Sequence, residues 1–443
     1  MNQSGHHTGT ARARFEDVPV VSLSDETIQV RLTGLAPGTT VTVRARMDDD
    51  SGGGWESASN YSADAGGTVD LSSQAPDSGS YEGVDPMGFL WSMTPAGPGS
   101  ASPLGIKSTV RPTIINLTAE IAGQPVAQTS LTRLVAAPGV RRTEVRDDGL
   151  HATFFAPPGA GPFPAIMLLS GSGGGLSEPQ AALYASHGYC ALALAYFRAG
   201  DLPTDLIRIP LEYFETGLAW LENRPEVDAE KLAVGGGSRG GELSLLLASR
   251  YPQFKAVIAN VPSAIVYGGV GGGDDGHAQP AWTYRGEGIP FLYSRRGQSD
   301  EYQAEEGKPF ALTPIFLRGL EDEEAVRQAA IPVEQINGPV LAISGKDDAM
   351  WPSSLYSEMV MERLTEHQHP WPDQHLAYEG TGHVIGQPWL PTTVTASSHP
   401  VTKTFFAYGG EPKASAHARA DAWPKILAFL DTHLKDRSGD AHS

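Results

Sequence analysis

The chain has 443 residues, 40% of them hydrophobic, with 32 Lys plus Arg against 51 Asp plus Glu and a formal net charge of -19. At roughly 100 to 200 residues per domain this length points to two or three domains with cores of their own, and the acidic balance argues against a surface that binds nucleic acid. The single cysteine, Cys190, excludes an intramolecular disulfide framework and a multi-cysteine zinc site.

Residues 1–15 read as a polar, disordered tail that carries His6, His7, Arg12 and Arg14 but lacks the apolar core of a secretory signal. From Thr27 onward Ile28, Val30 and Leu32 alternate with Gln29 and Arg31, the period of a half-buried strand. Leu35-Ala36-Pro37-Gly38 reads as a turn, after which Val41, Val43, Ala45 and Met47 alternate with Thr42, Arg44 and Arg46 to complete a hairpin-like pair. Short strand-like segments at 61–63, 68–71 and 89–92 follow between clusters of Gly, Asp, Ser and Pro. This rhythm predicts an antiparallel β-sandwich over residues 16–138, immunoglobulin-like, with a barrel as the alternative.

Around 136–143 the pattern changes to apolar strands alternating with helical stretches: 165–169, 191–195, 232–235, 256–259 and 340–344 are continuous apolar runs, as in a parallel sheet covered on both faces. Leu211, Phe214, Leu218 and Leu221 recur at helical spacing and predict a packing helix over 209–223. A closing helix is expected over 423–434, with Ile426, Leu427, Leu430 and Leu434 facing the core. Residues 139–436 therefore read as an α/β domain and 437–443 as a tail. No stretch approaches the ~18 to 20 consecutive apolar residues of a membrane helix. The C-terminal Ala441-His442-Ser443 is not a peroxisomal address of the Ser-Lys-Leu kind, so a cytoplasmic location is expected.

Chemistry concentrates at Gly236-Gly237-Ser238-Arg239-Gly240, a G-x-S-x-G pentapeptide between the apolar run 232–235 and the helix-forming run 242–250. Glycines two before and two after the serine permit a sharp strand-to-helix turn that holds a nucleophile above the sheet. A serine hydroxyl needs a base, and the base needs an orienting carboxylate. The run 340–344 ends in Gly345-Lys346-Asp347-Asp348, which supplies the acid, with Asp348 preferred to Asp347. His383 follows the next strand-like run in the glycine-rich loop Gly380-Thr381-Gly382, whereas His367, His369 and His375 lie in a polar stretch and are expected to be solvated. The backbone N-H groups of Arg239, Gly171 and Ser172 are the expected oxyanion donors, because the run 165–169 leads straight into the glycine loop 171–175. A dinucleotide-binding turn there is disfavoured, since Leu176 breaks the G-x-G-x-x-G pattern. The second glycine cluster, 268–273 with Asp274 and Asp275, is expected to form a mobile loop at the site mouth.

These motifs resemble the acyl-CoA thioesterase and bile acid-CoA:amino acid N-acyltransferase family. The resemblance is carried by Gly161-Pro162-Phe163-Pro164, the loop 173–176, His187-Gly188-Tyr189, Asp201-Leu202-Pro203, Gly236 to Glu242, Gly345 to Asp348, Gly380 to His383 and Gly409-Gly410-Glu411-Pro412. Gly83-Val84-Asp85-Pro86-Met87-Gly88 and Leu90-Trp91-Ser92-Met93 extend it into the N-terminal region, so it covers about residues 18–434. The resemblance implies an immunoglobulin-like sandwich followed by an α/β-hydrolase domain, a triad of Ser238, Asp348 and His383, and acyl-CoA as substrate, with no cofactor or metal. Amino-acid-conjugating members carry Cys as nucleophile, so Ser238 favours water as the acceptor. An acyltransferase, an esterase or carrier-protein thioesterase, and a catalytically silent binding protein are the alternatives. Gly237 and Val384-Ile385-Gly386 depart from the better-known members. Arg198, Arg295 and Arg296 are the candidate partners for the phosphates of coenzyme A on this acidic chain.

Overall fold

The computed structural model describes residues 12–97, 105–272, 278–293 and 307–435. The chain divides into two compact units, and the division is not a single cut: one comprises Met1–Ala101, Arg111–Leu134 and Trp389–Thr393, the other Ser102–Val110, Val135–Pro388 and Val394–Ser443.

The first unit is built from β-strands. Strands Arg14–Glu16, Arg31–Thr33 and Val69–Asp70 form one small antiparallel sheet. A larger sheet runs in the order Val21–Leu23, Gln124–Leu134, Thr113–Ile121, Thr40–Asp48, Gly54–Ser62, Ser78–Gly79, with Thr94–Pro95 also paired to Gly54–Ser62. Val41, Val43, Ala45 and Met47 are buried while Arg44 and Arg46 pair outward with Glu120 and Glu56, so the alternation was read correctly. Its partner was not. Arg31–Thr33 pairs with Arg14–Glu16 and Val69–Asp70, whereas Thr40–Asp48 pairs with Gly54–Ser62 and Thr113–Ile121. The turn at 35–38 thus carries the chain from one sheet to the other rather than closing a hairpin, because alternation fixes a strand's faces but not its neighbour. The expected strand at 89–92 is instead a helical turn, Gly88–Trp91. Buried Asp85 directs it, accepting the Met87 N-H at 3.0 Å and the Trp91 indole N-H at 2.9 Å.

Strands and helices of the second unit are numbered here in chain order. Strands β1 Arg141–Val145, β2 His151–Ala156, β3 Phe163–Leu169, β4 Cys190–Ala195, β5 Val227–Gly237, β6 Phe254–Asn260, β7 Val340–Gly345 and β8 Gln374–Tyr378 form one sheet in the order β1-β2-β4-β3-β5-β6-β7-β8. Only the pairings made by β2 are antiparallel. From β4 to β8 every pair is parallel, and the mixed sheet with its covering helices is an α/β-hydrolase fold.

Both faces of this sheet are apolar. Met167, Leu169, Leu192 and Leu194 enter the core on one side, with helices α2 Leu211–Glu222, α3 Arg239–Ala248 and α6 Ser353–Glu366. Ile166, Leu168, Ala191 and Ala193 enter the core on the other, with α1 Glu178–Ser186 and α7 Pro412–Leu434. Each large side chain removed from water in this way contributes roughly 1.5 to 3 kcal/mol. Cys190 lies in the first of these cores; its thiol donates to the Glu226 carbonyl at 3.5 Å, and burial pushes its pKa up to about 12. Helix α7 begins eleven residues before the expected start and runs through Pro424. Pro412 fits its first turn, where no intrahelical N-H bond is needed. Its early buried face is made of Ser415, Ala416, Ala418, Arg419 and Ala422, small or charged side chains that do not register as an apolar stripe. Between β6 and β7 lie the short helices α4 Thr313–Gly319 and α5 Glu323–Ala329. No helix among the described residues is long and apolar enough to cross a membrane.

Candidate active site

Strand β5 ends at Gly237, and the chain turns through Ser238 into α3. Ser238 sits at φ 58°, ψ -121°, a backbone conformation that costs a non-glycine residue energy and persists only where its surroundings enforce it. The enforcement is visible. The Ser238 N-H donates to the Asn260 carbonyl at 2.9 Å, and its own carbonyl accepts from Gly241 at 2.8 Å and Glu242 at 3.0 Å. A side chain at Gly236 would lie 2.5 Å from the Gly240 carbonyl oxygen, and one at Gly240 would lie 2.5 Å from that of Leu169. These two glycines are therefore what allow β5, α3 and the end of β3 to close around the serine.

Asp348 lies just past β7 and His383 past β8. The His383 Nε2 is 2.9 Å from Ser238 Oγ, and its Nδ1 is 2.8 Å from Asp348 Oδ2. The other carboxylate oxygen, Oδ1, accepts the N-H groups of Met350 at 2.9 Å and Trp351 at 3.3 Å, which fixes the side chain. Asp348 and His383 are buried, while Asp347 is exposed. The segment 408–410 locks the Asp348 and His383 loops together: the Tyr408 carbonyl accepts from His383 at 2.8 Å and from Ala349 at 3.2 Å, and Gly409 bridges Asp348. Trp351 packs edge-on against the His383 ring at 5.9 Å.

These side chains open onto a cavity of about 860 Å³. Leu312, Phe316, Met350, Trp351, Val401 and Phe406 supply apolar lining, and Ser172, Ser238, His383 and His399 supply polar groups. A chamber of this kind suits an extended apolar group whose polar end meets the serine.

The structure brings Gly171 beside Ser238: a side chain there would lie 3.4 Å from Ser238 Cβ and 3.9 Å from its Oγ. Ser172 lines the cavity, and its Oγ is 2.9 Å from His399 Nε2. Arg239 begins α3, so its N-H has no acceptor within the helix. The Arg239 side chain turns instead to buried Glu242 at 2.7 Å, and to the carbonyls of Tyr267 at 2.8 Å and Gly268 at 3.1 Å. Glu242 also accepts from the Trp282 indole at 2.9 Å. Burial lifts the Glu242 carboxyl to about 7, a shift that the adjacent guanidinium opposes without cancelling.

Several expectations need correction. The 268–273 cluster lines the cavity through Gly268 to Gly272, but it is tied down at one end. Arg239 holds its start, Gly269 donates to Gln279 at 2.8 Å, and Val270 exchanges two backbone bonds with Leu206. Gly273, Asp274 and Asp275 lie outside the described residues, as do Arg295 and Arg296. His369 is not solvated: its side chain is 1% exposed and bonds Asp373 Oδ2 at 2.7 Å and the Ile336 carbonyl at 2.9 Å. His375 is half-buried against Ser344 Oγ at 2.7 Å, and burial lowers its pKa, whereas His367 is exposed as expected.

Arg198 is exposed and donates to the Pro400 carbonyl at 3.0 Å, beside cavity-lining His399 and Val401. Lys403 donates to the same oxygen at 2.8 Å. The two cations are hence no more than about 6 Å apart, a separation at which like charges repel unless an anion joins them. Lys403, His399 and the Arg239–Glu242 pair escaped the sequence reading. The one available signal was Glu242 itself, a lone charge three residues after Arg239 in an otherwise Leu-rich helix.

Two family models match the chain: acyl-CoA thioester hydrolase/BAAT N-terminal region over residues 25–147, and BAAT/acyl-CoA thioester hydrolase C terminal over residues 209–436. Among curated relatives, the peroxisomal succinyl-coenzyme A thioesterase of Mus musculus is 34% identical over 434 residues, covering 95% of each chain. Acyl-coenzyme A thioesterase 6 of Homo sapiens is 35% identical over 427 residues, covering 95% of this chain and 96% of its own. The mitochondrial acyl-coenzyme A thioesterase 2 of Mus musculus is 33% identical over 421 residues, covering 94% of this chain and 88% of its own. The compartments in these names lend no support to the cytoplasmic expectation. With matches of this extent across both units, the chain belongs to the acyl-CoA thioester hydrolase/BAAT family.

Proposed function

We propose that this chain is a serine-dependent acyl-CoA thioesterase whose catalytic domain is residues 139–436, preceded by an immunoglobulin-like domain over 16–138. The observation that carries the reading is the continuous relay from Ser238 Oγ through His383 to Asp348, at 2.9 and 2.8 Å, opening on a cavity of mixed apolar and polar lining. His383 Nε2 takes the Ser238 proton as Oγ bonds to the acyl carbon, and the carbonyl electrons move onto oxygen. The N-H groups of Arg239 and of the 171–172 loop stabilise that oxyanion. Collapse breaks the carbon–sulfur bond, and the departing thiolate takes the proton from His383. Water, deprotonated in turn by His383, then hydrolyses the acyl-enzyme, with Asp348 holding Nδ1-H throughout. A serine in place of cysteine at the nucleophile supports hydrolysis over transfer to an amine. The Arg198 and Lys403 pair is the seat we assign to the phosphates of coenzyme A.

Replacement Ser238→Ala tests the reading. CoA release from acyl-CoA should fall at least about a thousandfold, and a fluorophosphonate should add its mass to the parent protein but not to the variant. CoA release by the variant near the parent rate would overturn the proposal.

A further inference from the structure

Ser172 and His399 make a second serine–histidine contact on the wall of the same cavity, and its hydrogen bonding has a direction that can be deduced. His399 is buried, and its Nδ1 accepts two backbone N-H groups, from Val401 at 3.2 Å and Thr402 at 3.2 Å. A nitrogen that accepts carries a lone pair, so in the neutral ring the proton resides on Nε2. At 2.9 Å from Ser172 Oγ, Nε2-H therefore donates and the hydroxyl accepts. This is the reverse of the polarity at Ser238, where the histidine must accept. A hydroxyl that accepts from an imidazole keeps its own proton to give, and no protein acceptor for it is present among the described residues.

Where that proton can go is limited by the loop. Ser172 follows Gly171, whose Cβ position would be 3.1 Å from the Gly237 carbonyl oxygen and 3.9 Å from Ser238 Oγ. Ser172 lines the cavity together with Ser238 and His383. A donor fixed here, on the wall of the cavity that Ser238 opens onto, is placed to meet a developing negative charge.

We propose that the Ser172 hydroxyl donates a hydrogen bond to the acyl oxygen as it becomes the oxyanion, and that His399 is a positioning residue that keeps this hydroxyl's proton available. The inference rests on the acyl-enzyme reading above and adds a side-chain donor to the backbone amides. Ser172 keeps its proton through the cycle. The transferred proton passes through His383 alone, from Ser238 as the carbon–oxygen bond forms and on to the departing thiolate as the carbon–sulfur bond breaks.

The test uses the full chain and a single acyl-CoA substrate. Ser172→Ala should lower kcat about a hundredfold, the scale of losing one oxyanion donor, with KM within about threefold. Ser172→Thr, which keeps the hydroxyl, should restore most of kcat. His399→Asn keeps an acceptor for the Val401 and Thr402 amides but loses the Nε2 donor, and it should lower kcat in the parent yet cost less than about twofold more when added to Ser172→Ala, because the two act as a unit. A Ser172→Ala variant with kcat within threefold of the parent sinks the donor role. Equal cost of His399→Asn in both backgrounds sinks the positioning role. Either failure, in an enzyme that Ser238→Ala still silences, leaves the acyl-enzyme reading standing; activity that survives Ser238→Ala removes both.

Discussion

Asp348→Asn separates the carboxylate's charge from its shape. In the parent, Oδ1 is held by the Met350 and Trp351 amides, which leaves Oδ2 for His383 Nδ1 at 2.8 Å. Asparagine would keep its carbonyl on those amides and turn its NH2 toward Nδ1. Two donors cannot share that contact, so the imidazole proton moves to Nε2, and the ring can no longer accept from Ser238 Oγ. Flipping the amide restores the tautomer but abandons two backbone bonds, about 1 to 3 kcal/mol. The flipped side chain still has no charge to oppose the imidazolium, a loss of about 4 kcal/mol for unit charges ~4 Å apart at an effective dielectric of ~20. At about 1.4 kcal/mol per decade, these losses predict a fall in kcat of about 10⁴-fold, the scale seen for Asp→Asn in other serine triads. Exposed Asp347 makes no such contact with His383, so Asp347→Asn should leave kcat within about twofold. The assay is release of the CoA thiol at neutral pH, with thermal melting to establish that both variants fold. An Asp348→Asn rate within tenfold of the parent, or an equal loss in Asp347→Asn, would refute the assignment of the acid.

Two further outcomes follow from charges near the cavity. Removing both Arg198 and Lys403 by alanine substitution should raise KM for acyl-CoA about five- to tenfold at low salt, converge with the parent at high salt, and leave hydrolysis of an acyl-pantetheine, which lacks the nucleotide, unchanged; an equal rise for both substrates would remove the phosphate seat. Glu242 has a carboxyl raised to about 7 from an ordinary 4.5, so the folded protein holds its proton where the unfolded chain releases it. The stability this group contributes is full below pH 4.5 and is lost as pH rises through about 7. In parallel melts, the parent should therefore lose ground to Glu242→Gln between pH 5 and 8, and a gap independent of pH would show that Glu242 stays ionised.

The Ser238–His383–Asp348 cluster was legible because each member occupies a position with a local signature: an apolar strand, then a glycine-rich turn carrying one polar side chain. The same logic revealed the sheet, since strands buried on both faces advertise themselves as unbroken apolar runs. What stayed hidden depends on tertiary pairing. His399 lies in a Thr- and Ser-rich stretch after residue 391, and nothing local connects it to Ser172, more than two hundred positions earlier. Lys403 gains meaning only from sharing the Pro400 carbonyl with Arg198. The polar stretch around His369 looked solvated because its neighbours are hydrophilic, yet Asp373 and the Ile336 carbonyl supply enough hydrogen bonds to bury the ring. In the first unit, alternation identified inward faces correctly but mistook a crossing between sheets for a hairpin.

Cys190 gives the enzymology an unusual convenience. It is the chain's single thiol, is fully enclosed, and has a pKa pushed up to about 12, so at neutral pH it presents almost no thiolate to a disulfide reagent. Every equivalent of chromophore released in a thiol-trapping assay should then originate from coenzyme A, and the protein blank should be flat while the fold is intact. Slow appearance of one equivalent per chain would instead report unfolding, so the same cuvette can monitor turnover and the integrity of the catalyst. The protein is equally a ready background for a lone surface cysteine carrying a fluorophore, with no native thiol to remove first.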